Sequence, residues 1–218
     1  MQRAGAVLSS ALDTNGGYSL MPKIVDHSAR REEIGAIAAS LIAEGGMERT
    51  TIREIASRSG FSKGVIEHYF EGKEELIFAA LNSINQGYEQ RVHNSALGLS
   101  GLSALRQRIL ATLPVNRTIR NEWKVRLAFW SIAAIESKLC ARQTEHFEKA
   151  VAVYANDIAL AIEHGDIPAG NNAEPLARRL FTSTIGISTA ALYKPPQAGK
   201  VYLQGELEYL MQRLALGH

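Results

Sequence analysis

The residues best suited to bind a polyanion lie in the stretch 50–76. Ser62, Lys63 and Gly64 follow a turn residue, Gly60, and combine a capping hydroxyl, a cation and a residue without a side chain. This combination suits close approach of a phosphate or a base edge to a helix terminus. Apolar residues keep helical spacing on both sides of the turn, at Ile52, Ile55, Ala56, Val65, Ile66, Tyr69 and Phe70. The pattern predicts a helix-turn-helix, whose second helix enters the major groove of DNA.

Two residues of this stretch are not explained by helix stability. Gly64 lies inside the second helix, where glycine costs about 1 kcal/mol relative to alanine. Lys73 places a cation in the first turn of the next helix, against the macrodipole. We expect Gly64 to let the backbone approach DNA and Lys73 to bind a phosphate; the alternatives are a tolerated glycine and a solvated lysine. Phe70 is expected in the core, and Tyr69 either there or on a phosphate. The predicted DNA contacts are Thr51, Arg53, Ser62, Lys63, Gly64, Val65, Glu67, His68, Tyr69 and Lys73.

The elements that position these residues are predicted to be helices. A first helix over 28–44 ends at Gly45-Gly46, Thr51 and Glu54 form a capping box for the second, and the third covers 62–70. Further helices are predicted over 73–92, 102–113, 121–140, 142–164, 173–193 and 201–216. Runs of strictly alternating β-branched residues are absent from the sequence, so the predicted fold is all-α with about nine helices. The predicted domains are a flexible arm at 1–22, the helix-turn-helix domain at 23–71 and a second helical domain at 72–218.

Composition excludes several classes of protein. The net charge is only +2, and residues 21–93 contain nine Lys and Arg against eleven Asp and Glu, so DNA binding depends on where the cations lie. Cys140 is the single cysteine, which excludes an intrachain disulfide and fits a reducing, cytoplasmic compartment. No apolar run approaches the roughly 20 residues that cross a bilayer. Histidine pairs with metal-ligand spacing and glycine-rich phosphate loops are also absent from the sequence, so we expect no metal, cofactor, membrane partner or enzymatic activity.

In combination, the motif residues resemble the TetR family of one-component regulators. The matching positions are Thr51, Ile55, Ala56, Gly60, Ser62, Gly64, His68, Tyr69, Phe70, Lys73 and Leu76. The resemblance implies an all-helical homodimer with an N-terminal DNA-binding domain and a C-terminal domain that binds ligand and dimerises. Such proteins usually repress transcription from a palindromic operator and leave it when a small molecule binds.

Two short segments narrow the resemblance. Glu67 replaces a tyrosine that is frequent at that family position, and it either accepts a hydrogen bond from a cytosine amine or faces solvent. In lacking that aromatic residue and in having the segment LAFWS at 127–131, the sequence is similar to the BetI-type, choline-responsive repressors. A small-molecule binding protein whose helix-turn-helix no longer reads DNA is the alternative, favoured by Glu67 and by the slightly acidic N-terminal domain.

The family resemblance places a ligand pocket among helices 4 to 7. Large aromatic residues there could bind an apolar or aromatic effector, or form a cage for a quaternary ammonium group. Two acids on the same helices could balance the charge of such a cation. The predicted ligand contacts are Trp123, Phe129, Trp130, Glu136, Phe147, Tyr154 and Asp157. The alternative for each aromatic residue is a place in the core.

The last two predicted helices have the composition of a dimer interface. Apolar residues recur at Leu176, Leu180, Ile187, Leu192, Leu203, Leu207, Leu210 and Leu214, and small residues lie at Thr182, Ser183, Gly186, Ser188 and Thr189. Small side chains let helices cross closely, so we expect a four-helix bundle across a two-fold axis. The alternative is that these faces pack inside one monomer.

Overall fold

A computed structural model of the chain describes residues 27–217, apart from the side chains of 196–198. Over this range the chain forms nine helices and no strand: α1 (His27–Arg49), α2 (Ile52–Ser59), α3 (Lys63–Tyr69), α4 (Lys73–Ser95), α5 (Gly101–Thr112), α6 (Arg117–Ala133), α7 (Ser137–Glu163), α8 (Ala173–Ala191) and α9 (Pro196–Ala215). The all-α prediction is confirmed. The arm predicted at 1–22 lies outside the described residues.

Two glycines of α1 shape the unit that the first three helices form. Gly46, with φ of 77°, interrupts α1 near the predicted end, but one further helical turn continues to Arg49. Gly35 allows α1 to pack closely against α4, because a Cβ there would lie 2.7 Å from the Ala79 carbonyl oxygen. The helix-turn-helix is therefore held by α4 as well as by its own core.

Four predicted boundaries in the second half are wrong. The helix predicted over 121–140 runs from Arg117 to Ala133, and α7 begins at Ser137 rather than at 142. Apolar residues continue through this break, so the sequence pattern did not indicate where the first of these helices ends. α9 begins at Pro196 rather than at 201, since proline is favourable at the first position of a helix and does not exclude one.

The buried residues form two cores, and α4 and α6 connect them. The N-terminal core contains α1–α3, the first half of α4 and one face of α6, contributed by Val125, Phe129 and Ala133. The C-terminal core consists of buried residues from α5, α7, α8 and α9 and the loop residue Ile167. The predicted domain boundary at 71/72 falls just before α4, whose first half packs with the N-terminal unit.

Candidate functional site

The turn between α2 and α3 is built by local hydrogen bonds. Thr51 Oγ1 accepts from the Glu54 backbone N–H at 3.1 Å, and Ser62 Oγ accepts from the Val65 N–H at 3.3 Å. Gly60 has φ of 73°, a left-handed conformation that favours glycine, and its N–H donates to the Ala56 carbonyl. These caps end α2 at Ser59 and begin α3 at Lys63.

Burial divides α3 into an inner and an outer face. Ile66 and the following Phe70 are buried in the N-terminal core, together with Ile55 of α2. Lys63, Gly64, Val65, Glu67 and His68 are exposed, as are Thr51, Arg53, Ser62 and Lys73, while Tyr69 is half-buried. All ten predicted DNA contacts thus lie within the α2–α4 segment, and nine of them face solvent.

Ion pairs distinguish the cations of this surface. Lys63 Nζ lies 3.1 Å from Glu67 Oε1, one turn along α3. Arg58 Nη1 lies 3.0 Å from Glu44 Oε1, and the pKa of Glu44 is lowered by that hydrogen bond. Arg53 and Lys73 take part in no ion pair found among residues 27–217, so their charges are the ones most available to a phosphate.

Gly64 has no steric role among residues 27–217. A Cβ at this position would meet only Ser62 Oγ, at 3.9 Å, and Gly64 does not require positive φ. Alanine would therefore fit, with better helix propensity. Internal packing does not explain this glycine.

Two residues that sequence reasoning missed hold the end of α3. The ring of His27 lies 5.1 Å from that of Tyr69 and 5.9 Å from that of His68. Arg31 donates to the Tyr69 carbonyl oxygen and pairs with Glu75, with its guanidinium 4.5 Å from the Phe70 ring centre. Glu75 also accepts from the Glu71 N–H at 2.8 Å. The orientation of α3 is consequently tied to α1 and α4.

A cavity of about 370 Å³ lies among α4, α5, α6, α7 and α8. This volume is within the range of small-molecule sites. Its aromatic lining consists of Tyr88, Trp123, Trp130, Phe147, Tyr154 and Phe181. Its polar lining consists of Asn85, Glu89, His93, Arg108, Thr112, Arg126, Gln143, His146, Lys149 and Thr184.

The seven predicted ligand contacts separate into two groups. Trp123, Trp130, Phe147 and Tyr154 line the cavity. Phe129, Glu136 and Asp157 do not, so the expectation that all seven residues meet one ligand is wrong.

Phe129 is buried in the N-terminal core, since adjacent residues of a helix point about 100° apart and Trp130 takes the cavity face. Glu136 is exposed in the α6–α7 connection. Asp157 is buried, and its Oδ2 accepts from Arg108 Nε at 2.8 Å; burial raises the pKa of Asp157, and Arg108 opposes that shift.

Buried charges at the cavity were not foreseen. Arg91 forms two hydrogen bonds with Glu122, at 2.9 and 2.6 Å. Arg126 is 7% exposed, and its Nη1 lies 3.8 Å from the same Glu122. Burial lowers the pKa of Arg126, although arginine remains protonated in proteins. The sequence feature that could have indicated a buried charge is Arg126 itself, which lies inside the apolar run VRLAFW.

Three cavity residues have a buried polar atom without a hydrogen-bond partner among the described residues. They are Arg126 at Nη2, Trp130 at Nε1 and Tyr154 at its hydroxyl. Trp123 differs, because its Nε1 donates to the Thr112 carbonyl oxygen at 2.9 Å. Burial raises the pKa of Tyr154, an effect that the Thr112 and Thr184 hydroxyls counter only in part. Tyr154 therefore remains a protonated donor.

The predicted interface residues of α8 and α9 are divided between core and surface. Most of the leucines face inward: Leu176, Leu180, Leu203, Leu207 and Leu214 are buried in the C-terminal core. Small residues and two large apolar ones face outward, including Thr182, Gly186, Val201 and Tyr209. Fewer of the predicted interface residues therefore lie on the outer face of α8 and α9 than the sequence pattern indicated.

An exposed third helix of a helix-turn-helix, joined to a helical domain with a cavity, is the architecture of a one-component transcriptional regulator. A model described as bacterial regulatory proteins of the tetR family matches residues 34–80, and a model of the C-terminal part of BetI-type transcriptional repressors matches residues 102–210. The chain belongs to the TetR family, and its C-terminal half is of the BetI type. Its relatives are regulators rather than enzymes, as the sequence predicted.

Individual relatives support this assignment. The transcriptional regulator PksA of Bacillus subtilis is 26% identical over 181 residues, 83% of this chain and 87% of that protein. BetI of Escherichia coli is 35% identical over 115 residues, 51% of this chain and 58% of that protein, so the match spans little more than half of BetI. A transcriptional-regulator structure from Saccharomonospora viridis, solved in complex with choline, has a TM-score of 0.72 at 22% identity and covers 84% of this chain and 97% of its own. At that identity the likeness shows the fold.

None of the helices formed by residues 27–217 is long and apolar enough to cross a membrane.

Proposed function

We propose that this regulator binds a palindromic operator as a homodimer and releases it when a small molecule occupies the cavity. One observation carries the proposal: α6 contributes to the cavity and to the N-terminal core from different faces. Trp123, Arg126 and Trp130 line the cavity, and Phe129 is among the α6 residues that pack against the helix-turn-helix unit. A ligand that displaces α6 therefore acts directly on the support of the recognition helix.

α4 supplies a second connection of the same kind. Its first half, with Leu76, Ile77 and Ala80, is buried in the N-terminal core. Its second half, with Tyr88 and Val92, lines the cavity. Ligand binding would shift the population between two orientations of α4, and the coupling free energy equals the difference in ligand affinity between them.

The operator would be read by two copies of α3. A helix-turn-helix dimer contacts half-sites about 34–36 Å apart, one turn of DNA. Gly64 and Val65 would approach base edges, while Arg53 and Lys73 would bind phosphates. The outer face of α8 and α9 is the proposed dimer interface, because exposed small residues such as Gly186 permit close helix crossing. The aromatic lining of the cavity favours an effector with an apolar or aromatic body.

The test is operator binding by full-length variants. Lys63→Ala and Lys73→Ala should weaken binding to DNA from the protein's own upstream region and reduce the salt dependence by about one unit for each lost phosphate contact. Lys138→Ala, an exposed lysine at the start of α7, is the matched control and should leave affinity unchanged. Unchanged affinity in both test variants contradicts the proposed contacts. Absence of any specific complex, with ligand binding intact, supports a small-molecule binding protein that does not read DNA.

A further inference from the structure

The charges around the cavity are paired unevenly. Arg108 is paired with Asp157 at 2.8 Å, and Lys149 is paired with Glu145 at 2.7 Å. Glu122 forms a bidentate pair with Arg91. The same carboxylate is 3.8 Å from Arg126, so one negative charge lies between two guanidinium groups. Of these four cations, Arg126 is therefore the one without a carboxylate of its own.

Arg126 also occupies the aromatic faces that a ligand cation would need. Its guanidinium carbon lies 4.7 Å from the ring centre of Tyr88 and 5.6 Å from that of Trp123. These distances are within the range of cation–π contacts. A quaternary ammonium placed in this part of the cavity would meet a like charge and would have to compete for the same rings.

The unpartnered atoms are all hydrogen-bond donors. Arg126 Nη2 and Trp130 Nε1 can only donate, and the protonated Tyr154 hydroxyl also has a proton to donate. A buried donor without an acceptor loses the hydrogen bonds it would make in water. All three donors belong to residues that line the cavity, and one of them is charged. Their complement is an acceptor that carries negative charge.

The one carboxylate among the lining residues lies elsewhere. Glu89 is largely exposed at the edge of the cavity, with its Oε1 3.9 Å from His146 Nδ1. It does not neutralise Arg126. On α6, the Glu122 carboxylate therefore remains shared between Arg91 and Arg126.

We infer that the effector is a small anionic compound, a carboxylate on an apolar or aromatic body, whose anionic group binds Arg126 and the neighbouring donors. This inference rests on the proposed role of the cavity as the effector site and specifies its chemistry. It separates this chain from its structural neighbour that was solved with choline, a cation. Arg126 is the specificity-determining residue, since it favours an anion and repels an ammonium.

The test compares three head groups on one phenyl body: hydrocinnamate, hydrocinnamide and phenethyltrimethylammonium. Trp123 and Trp130 are the only tryptophans of the chain, and both line the cavity, so intrinsic fluorescence reports on its occupancy. Hydrocinnamate should bind the full-length protein about 10- to 100-fold more tightly than the amide, the value of a hydrogen bond to a charged group. The ammonium compound should bind more weakly than the amide.

Variants assign the preference to Arg126. Arg126→Met keeps the length of the side chain and should abolish the preference for the carboxylate, whereas Arg126→Lys keeps the charge and should retain part of it. Arg106→Met removes a cation from a pair with Glu208 on the surface and should change nothing. If Arg126→Met does not fold, the head-group order of the wild type and of Arg126→Lys still decides the question.

Three results would overturn the inference. They are tighter binding of the ammonium than of the carboxylate, an unchanged preference in Arg126→Met, and no saturable quenching by hydrocinnamate at millimolar concentration. Operator affinity measured in parallel separates this inference from the proposed function. Carboxylate binding that depends on Arg126 but leaves operator affinity unchanged contradicts the proposed function alone, whereas operator release by the ammonium alone contradicts only the choice of an anion.

Discussion

Replacing Gly64 with alanine should make the protein more stable and a weaker DNA binder. The position is exposed and helical, and the added Cβ would meet only Ser62 Oγ at 3.9 Å. Relief of the glycine penalty should raise the free energy of unfolding by about 0.5–1 kcal/mol. In a chain of this size, 1 kcal/mol corresponds to a rise in Tm of about 2–4 °C.

The effect on DNA binding has the opposite sign. If the α3 backbone touches DNA at Gly64, a methyl group there overpacks the interface at about 1–3 kcal/mol per copy. Two recognition helices double that loss to about 2–6 kcal/mol, which corresponds to roughly 30-fold or more in affinity. Thermal unfolding and fluorescence anisotropy with a labelled operator fragment measure the two effects on one preparation.

Gly87 provides the matched control. It is also an exposed glycine inside a helix, and a Cβ there would meet nothing within 4 Å. Gly87→Ala should therefore raise Tm by a similar amount without changing operator affinity. An operator affinity of Gly64→Ala equal to that of Gly87→Ala would refute the reasoning and leave Gly64 as a tolerated glycine.

Three further changes test other parts of the account. Glu67→Gln should strengthen operator binding, because it removes a carboxylate that repels phosphate and frees Lys63 from its 3.1 Å ion pair; an unchanged affinity would show that this carboxylate does not oppose DNA binding. Gly186→Ala should weaken the dimer in sedimentation experiments without lowering Tm at high protein concentration, because its Cβ would meet nothing within 4 Å in the described part of the monomer; an unchanged association constant would place the interface elsewhere. Phe129→Leu should preserve ligand-induced quenching of the tryptophans but reduce the ligand effect on operator affinity by about 0.5–2 kcal/mol, and a full effect would mean that coupling bypasses this contact.

The helix-turn-helix was predictable because its determinants are local. Thr51, Gly60 and Ser62 form caps and a left-handed turn with residues no more than four positions away. The types of these residues and their spacing predict such contacts directly. The exposure of Lys63 and Gly64 followed from the same periodicity. What the sequence did not show was the pairing of Lys63 with Glu67, since either side chain could equally have faced solvent alone.

The cavity was less predictable because it depends on which face of α6 meets which partner. Phe129 and Trp130 are adjacent aromatic residues of the same apolar run, and only tertiary packing assigns one to the N-terminal core and the other to the cavity. The place of Arg126 in the cavity was not predicted, because arginine side chains mostly reach solvent and only tertiary packing buries this one. The break after Ala133 was missed because apolar residues continue through it.

The central claim is that occupancy of the cavity controls operator binding. The most direct measurement is a DNase I footprint on the protein's own upstream DNA, titrated with a compound that quenches Trp123 and Trp130. We expect a two-fold symmetric protected site that disappears over the same concentration range as the quenching. A footprint that persists when quenching is complete, or quenching by a protein that forms no specific complex, would contradict it.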